Sequence, residues 1–379
     1  MADPTALALL DYFSEVPDPR VDRTKHHPLI NVITIAVCAV LSGADGWTEV
    51  EAFGYAKKAW LEGFLDMESG IPSHDTFGRV FGQIDPGAFQ EAFMRWTSAI
   101  SGVIEGVIAI DGKTLRHSYD RGESKGAIVM VSAWAEQNHL VLGQRKVSAK
   151  SNEITALPEL LKMLALKGCI VTIDAMGAQK TIAAQIVEQE GDYVLALKGN
   201  QGRLHEETAW FFMQLEQGAL EVEPEPWETV DFGHGREERR MCLSVDPYQF
   251  SQWFSSLEAW KGLKSVSLVR SERRIGEERT SETRYYISSL PPDAEHILMS
   301  ARSHWGIENK LHWVLDIAFR EDDSRIRQGN AAENMAVLRH IAVNMLKQDH
   351  SVKGGIKNKR LRCAWDDLYR EKILYTRLN

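Results

Sequence analysis

Cysteine is scarce in this 379-residue chain. Cys38, Cys169, Cys242 and Cys363 stand far apart, with no Cys-x-x-Cys pair. Such spacing argues against a zinc site and against a disulfide framework, and it fits a reducing cytoplasm. Long apolar runs are missing as well. The most apolar stretch, Leu29 to Leu41, falls short of the ~20 residues that cross a bilayer, so no membrane span is expected. The N-terminus lacks a basic stretch leading into an apolar core, which argues against a secretory signal. No internal repeat or low-complexity tract is evident. Positive charge is not in excess either: 44 Lys and Arg face 53 Asp and Glu, for a net charge of -9. A protein that wraps DNA usually presents a basic face, but binding depends on how charge is distributed, not on its sum.

The composition that remains, 44% hydrophobic and 26% charged, is ordinary for a soluble globular protein, and the length allows two or three domains. Basic residues gather in two places. One is the tail over residues 348–379, with Lys347 just before it and Lys353, Lys357, Lys359, Arg360, Arg362, Arg370, Lys372 and Arg377 within it. The other is a group interleaved with glutamates: Arg236, Arg239, Arg240, Arg270, Arg273, Arg274, Arg279 and Arg284. Either could track phosphates, or be solvated surface charge.

Residues 1–100 read as helical, from the apolar spacing of LALLDYFSEV and INVITIAVCAVLSGA. Pro72-Ser73 is a plausible cap for a short helix whose polar side carries Ser73, His74, Thr76 and Arg79. That helix could read DNA or belong to a small bundle that only packs. Residues 101–216 alternate. Strands are expected over 107–110, 127–135, 139–147, 169–173 and 193–197, and helices over 152–166, 178–190 and from about Arg203. The order β-β-β-α-β-α-β-α is that of an RNase H-like core, an analogy at the level of fold. It sets the first and fourth strands side by side. Residues 217–297 break into short β-rich pieces, read as an inserted subdomain. Residues 298–347 return to helix, with long helices over 303–319 and 331–347.

Three acids sit where such a core would use them. VIAIDGK places Asp111 at the end of the first strand, with Gly112 letting the backbone turn behind it. IVTIDAMG repeats the pattern at Asp174, with Gly177 opening the next helix. Glu308 lies in the later helix, where Trp305, Leu311, Leu315 and Phe319 supply the packing side. Glu308, His312 and Asp316 recur every four residues and so share roughly one face. Asp316, Glu321, Asp322 and Asp323 are rivals for the third place, and the residues by themselves do not choose among them. Carboxylates brought together in this way suit Mg²⁺, which prefers oxygen ligands. Two such ions ~3.5–4 Å apart can activate an attacking oxygen and stabilise a leaving one on a phosphodiester. Mn²⁺ could substitute. Lys113, Arg116, Lys198, Asn200 and Gln201 follow the strand ends and could touch DNA, as could His234 and Arg236 from a turn of the insertion. Glu153 could begin or cap a helix. Trp305 and Trp313 are expected in the core rather than stacked on bases.

The matching blocks then become specific. AIDGKTLRHS, KSNEITALPELL, TIDAMGAQ, YVLALKGNQ, GHGREERR, YYISSL and RSHWGIENKLHWVLDIAFREDDSRIR occur in order. PDPR, LSGADGWTEVEAFG and GIPSHDTFGRVF precede them. In these blocks the chain resembles ISAs-type (H-repeat-associated) insertion-sequence DDE transposases, related to the IS-four-like group. The resemblance runs from about Asp18 to Lys347. It implies an RNase H-like α/β core with a β-rich insertion between the second and third acids, in keeping with the 134 residues from Asp174 to Glu308. It implies Asp111, Asp174 and Glu308 as a metal-binding catalytic triad. It also implies double-stranded DNA as partner (inverted-repeat ends and target), a homodimer on DNA, and a place in the bacterial cytoplasm with the nucleoid. Related transposases carry a Tyr-x2-Arg-x3-Glu-x6-Lys pattern; here those flanking positions are Ala301, His304 and Leu315. Arg302, Lys310 and His312 are the substitutes nearest to hand. A metal-dependent nuclease without strand transfer, or a decayed DNA-binding protein, are the competing readings.

Overall fold

Leu29–Leu41 reads LINVITIAVCAVL, and nearly every side chain in it is buried, so this helix (α2) runs through the interior rather than along a surface. The computed structural model describes residues 8–119, 126–147, 153–222, 224–233 and 235–375. The chain divides into two compact bodies. One holds residues 1–104, 112–150 and 308–379; the other holds 105–111 and 151–307.

The first body is mostly helical. Helices α1 (Ala8–Phe13), α3 (Trp47–Ala56), α4 (Lys58–Leu61), α5 (His74–Gln83) and α6 (Pro86–Ser101) accompany α2. The cap expected at Ser73 is present: its Oγ accepts the Thr76 N–H at 3.3 Å. Asp85 caps α6 in the same way, with Pro86 in the first turn, where it costs no hydrogen bond. The hairpin of β2 (Ile128–Ala135) and β3 (Leu140–Lys146) follows the end of β1 (Gly106–Leu115) in the order β3-β2-β1. Helix α12 (Ala331–Gln348) is buried almost all round, and packs on α2, α5, α6 and β3. Its buried asparagines bind backbone groups of neighbouring elements. Asn334 donates to the Phe81 and Ile84 carbonyls, and Asn344 both accepts from and donates to the Val141 backbone.

The tail is not a basic arm. It forms α13 (Ile356–Trp365) and α14 (Asp367–Tyr375), and Lys359, Arg360 and Arg370 are buried. Arg360 donates to the Val40 and Ala44 carbonyls and to Asp45, and so satisfies groups at the end of α2. Arg370 donates to the Cys363 carbonyl and Asp367, under the Trp60 ring. These cations are consumed by the fold, which corrects the expectation that the whole tail is free to track phosphates.

The second body is a sheet with helices. Its strand order is β1-β4-β5-β9-β8-β7-β6, with β4 (Cys169–Ile173), β5 (Asp192–Leu197), β6 (Trp227–Gly233), β7 (Arg236–Val245), β8 (Ser265–Ile275) and β9 (Glu278–Ser288). β1, β4 and β5 are parallel. CIVTI in β4 is buried throughout, as a strand covered on both faces must be. The helices are α7 (Glu153–Lys162), α8 (Lys180–Glu188), α9 (Arg203–Glu216) and α10 (Ala294–Gly306). The inserted strands hydrogen-bond onto β5 through β9, antiparallel, so they extend this same sheet. The helix expected over 303–319 starts earlier. α10 runs directly into a π-helical turn, Ile307–His312, and then into α11 (Trp313–Phe319).

Candidate active site

β1 and β4 pair in parallel from Gly106↔Cys169 to Ile110↔Ile173. Asp111 and Asp174 are each the next residue, so the register carries the two acids side by side. They stand at the carboxyl ends of the paired segments, the edge where open α/β sheets bind ligands. One expectation is corrected here. β1 continues through Asp111 to Leu115, so Asp111 lies within a strand and Gly112 makes no tight turn. Gly177 does not open α8 either. It sits in the turn after β4, where an added Cβ would lie 2.3 Å from Ile173 Cγ2 and 2.8 Å from Leu157 Cδ1. Only glycine fits that approach.

The loop behind Asp174 is tied down. Asp174 Oδ1 accepts the N–H groups of Met176 at 3.1 Å and Gly177 at 3.2 Å. The Ala175 carbonyl accepts Asn200 Nδ2 and Gln201 Nε2, both at 2.7 Å, and Gln201 Nε2 also reaches the Ala178 carbonyl at 3.0 Å. Asn200 and Gln201 are thus brought to the Asp174 edge as the sequence suggests, but their amides point into the protein. Two residues join this edge that the sequence did not single out for it. His304, in the last turn of α10, meets Thr172 Oγ1 through Nδ1 at 3.2 Å. Burial pushes its pKa down to about 4, against the pull of the Asp174 charge, so the ring is neutral at physiological pH. Glu153 opens α7; burial, and then repulsion from Asp174, raise its pKa above the usual carboxylate range. Its proximity to Asp174 had no signal in the sequence beyond a cap-like position.

Lys113 makes no open phosphate site. Its Nζ lies 2.7 Å from Asp316 Oδ1, 3.0 Å from Glu321 Oε2 and 3.0 Å from Asp322 Oδ1. Burial opposes its charge, yet the three carboxylates outweigh it and hold its pKa above that of an ordinary lysine. Glu321 is fully buried and also meets Arg339. Burial raises its pKa, but Arg339 and Lys113 together hold it below the usual value. Asp323 pairs with Arg320. All four rivals for the third place therefore have cation partners. Glu308 is exposed in the π-helical turn and forms no ion pair among the described residues.

The remaining expected DNA contacts fare unevenly. Arg116 is exposed but lies 3.0 Å from Asp322. Lys310 pairs with Glu136, Arg302 with Asp231 at 2.7 Å, and Arg236 with Glu238 at 2.9 Å. Lys198 is exposed after β5 and His312 is half-buried in the π-helical turn. His234 lies outside the described residues, as do Lys150, Ser151 and Asn152. On α5, the Ser73 hydroxyl is used as a cap and His74 meets Glu51 at 2.6 Å, while Arg79 is exposed. Trp313 is 59% exposed, which corrects its expected place in the core; Trp305 lies under the Arg284 guanidinium.

Among the described residues, no cluster of three or more His, Cys, Asp or Glu is arranged to hold a metal. Mg²⁺, however, is commonly held by one or two carboxylates together with substrate phosphates and water. Adjacent Asp111 and Asp174 are oxygen donors of that kind, so the residues present fit such an ion.

Comparison with known proteins agrees over most of the chain. The family model described as "Transposase DDE domain" matches residues 104–345, and one described as "DDE_Tnp_1-associated" matches residues 10–97. "Putative transposase YncI" of Escherichia coli O157:H7 is 44% identical, over 97% of this chain and 94% of its own length. "H repeat-associated putative transposase YhhI" of Escherichia coli K12 is 43% identical over 97% of both.

Proposed function

This chain belongs to the transposase DDE domain family, and from that premise we propose that it binds the inverted-repeat ends of an insertion sequence, cuts them by phosphodiester hydrolysis and joins the 3′-OH ends to target DNA. The observation that carries the reading is the β1–β4 register, which sets Asp111 beside Asp174 at the carboxyl edge of parallel strands. Glu308 is the third acid. Its support is that its rivals are ion-paired.

In this reading Asp111, Asp174 and Glu308 would hold Mg²⁺ or Mn²⁺ ions. When bound, such ions neutralise the phosphate and promote attack and departure of oxygen. The protein's own part is to orient. Asp174 keeps Oδ1 on two backbone N–H groups, which leaves Oδ2 as its outward ligand atom. A water oxygen bonds to phosphorus as the P–O3′ bond breaks, and the departing 3′ oxygen takes a proton. In joining, that 3′-OH attacks a target phosphodiester and its strand is released. No serine or tyrosine nucleophile is needed. Double-stranded DNA is the partner, with two copies of the chain handling the two ends. No helix among the described residues is long and apolar enough to cross a membrane.

Asp111→Asn, Asp174→Asn and Glu308→Gln are each expected to abolish Mg²⁺-dependent cleavage of end DNA while leaving its binding within about twofold. Wild-type cleavage by all three variants would remove the assignment. Cleavage without joining of pre-cut ends would instead favour a nuclease, and binding without cleavage by the wild-type chain a decayed DNA-binding protein.

A further inference from the structure

The amide that holds Asp174 and the carbonyl that Asn200 and Gln201 hold are two ends of one peptide unit. Met176 N–H donates to Asp174 Oδ1, and the Ala175 carbonyl of the same unit accepts both side-chain amides at 2.7 Å. A peptide unit is planar and resists twisting. Fixing its oxygen therefore fixes the direction of its N–H, and with it the carboxylate. Hydrogen bonds in a chain also polarise one another, so a carbonyl with two donors makes its own N–H a better donor.

Gln201 is itself braced: its Oε1 accepts the Lys198 N–H at 2.8 Å, and its Nε2 also reaches the Ala178 carbonyl. The turn supplies only one weak restraint of its own on the same oxygen, from Ala178 N–H at 3.4 Å. The other side of the loop is closed by Gly177, pressed on Ile173 and Leu157. The segment after β5 thus acts on the segment after β4, through backbone, without touching the carboxylate.

We infer that Asn200 and Gln201 are positioning residues for Asp174: their amides set the Ala175–Met176 peptide so that Oδ1 is held and Oδ2 faces outward for a divalent cation. Gln201 donates twice to this loop and Asn200 once, so their amides serve the loop rather than the DNA contacts that their place after a strand suggests. The inference rests on Asp174 being a metal ligand. Partners one step behind a ligand typically contribute about 10–100-fold in metal affinity.

The test uses Mn²⁺ binding to the full-length protein, followed by electron paramagnetic resonance, with Asn200→Ala, Gln201→Ala and the double variant. The double variant is expected to bind Mn²⁺ about 10–100-fold more weakly, with metal-free melting and metal-free DNA binding unchanged. Wild-type Mn²⁺ affinity in the double variant would overturn the inference. If DNA affinity alone fell, the two amides would be DNA contacts after all. Should the double variant not fold, Asn200→Ala, whose side chain is exposed and which leaves the Gln201 bonds in place, reads the same quantity. Asp174→Asn is the control: loss of Mn²⁺ binding supports the premise, whereas wild-type binding there sinks the Asp174 assignment itself, separately from the role of the amides.

Discussion

At Lys113 one ammonium answers three carboxylates, and its removal would leave Asp316, Glu321 and Asp322 facing each other. Breaking a buried ion cluster from one side costs about 3–5 kcal/mol. Lys113→Met is therefore expected to lose stability on that order by urea unfolding, and Asp316→Asn, whose own side chain is about a third exposed, much less. Equal losses would show that the cluster does not act through Lys113. A second residue-scale prediction concerns pH. His340 is 2% exposed, and burial pushes its pKa down to about 4 from an ordinary 6.5. Between those values the unfolded chain binds a proton that the folded chain refuses, so this contribution to stability is complete above pH 6.5 and is lost as pH falls towards 4. The melting temperature of His340→Gln should fall less steeply across that window than that of the wild type; identical slopes would place the pH dependence elsewhere.

Elements decide where the acids stand. The turn after β4 tolerates only glycine at position 177. Gly177→Ala should cost about 1–3 kcal/mol, as overpacking does, and lower cleavage more than it lowers DNA binding, because the strain falls on the peptide that holds Asp174 Oδ1. The π-helical turn Ile307–His312 carries Glu308. Such turns hold one residue more than an α-helix needs, and often mark functional sites. Deleting Asn309 would remove that extra residue and let the turn regularise, which re-aims Glu308. Loss of cleavage with helix content retained is the expected outcome by circular dichroism and a cleavage assay.

For the molecule as a whole, the C-terminal helices belong to the folding unit of the first body. Arg360 satisfies carbonyls at the end of α2, and Lys359 donates to the carbonyls of Leu346 and Asp349. Truncation after Gly355 should therefore lower the melting temperature and expose apolar surface, rather than simply weaken DNA binding. A truncated chain that melts like the wild type would restore the reading of a basic arm. The arginines of the insertion show the same limit of charge counting: Arg236, Arg240 and Arg284 are paired with Glu238, Asp231 and Glu282, which composition cannot reveal.

Strand order was legible because buried strands need short unbroken apolar runs, and VIAI, CIVTI and YVLAL are such runs, closed by polar residues. From that order the neighbouring of Asp111 and Asp174 follows, since parallel pairing of the first and fourth strands brings like ends together. The N-cap at Ser73 was legible for a similar reason, being a contact between residues three apart. What lay beyond reach were pairings across long loops. Lys113 finds its carboxylates some two hundred residues later, and Asn200 and Gln201 find a backbone carbonyl, which has no letter in the sequence. Local apolar pattern and turn chemistry thus determined the elements and the two aspartates they carry. Tertiary structure alone decided which charged groups are spent on one another and which, like Glu308, form no ion pair among the described residues, because an ion pair depends on distance in space and not on position in the chain.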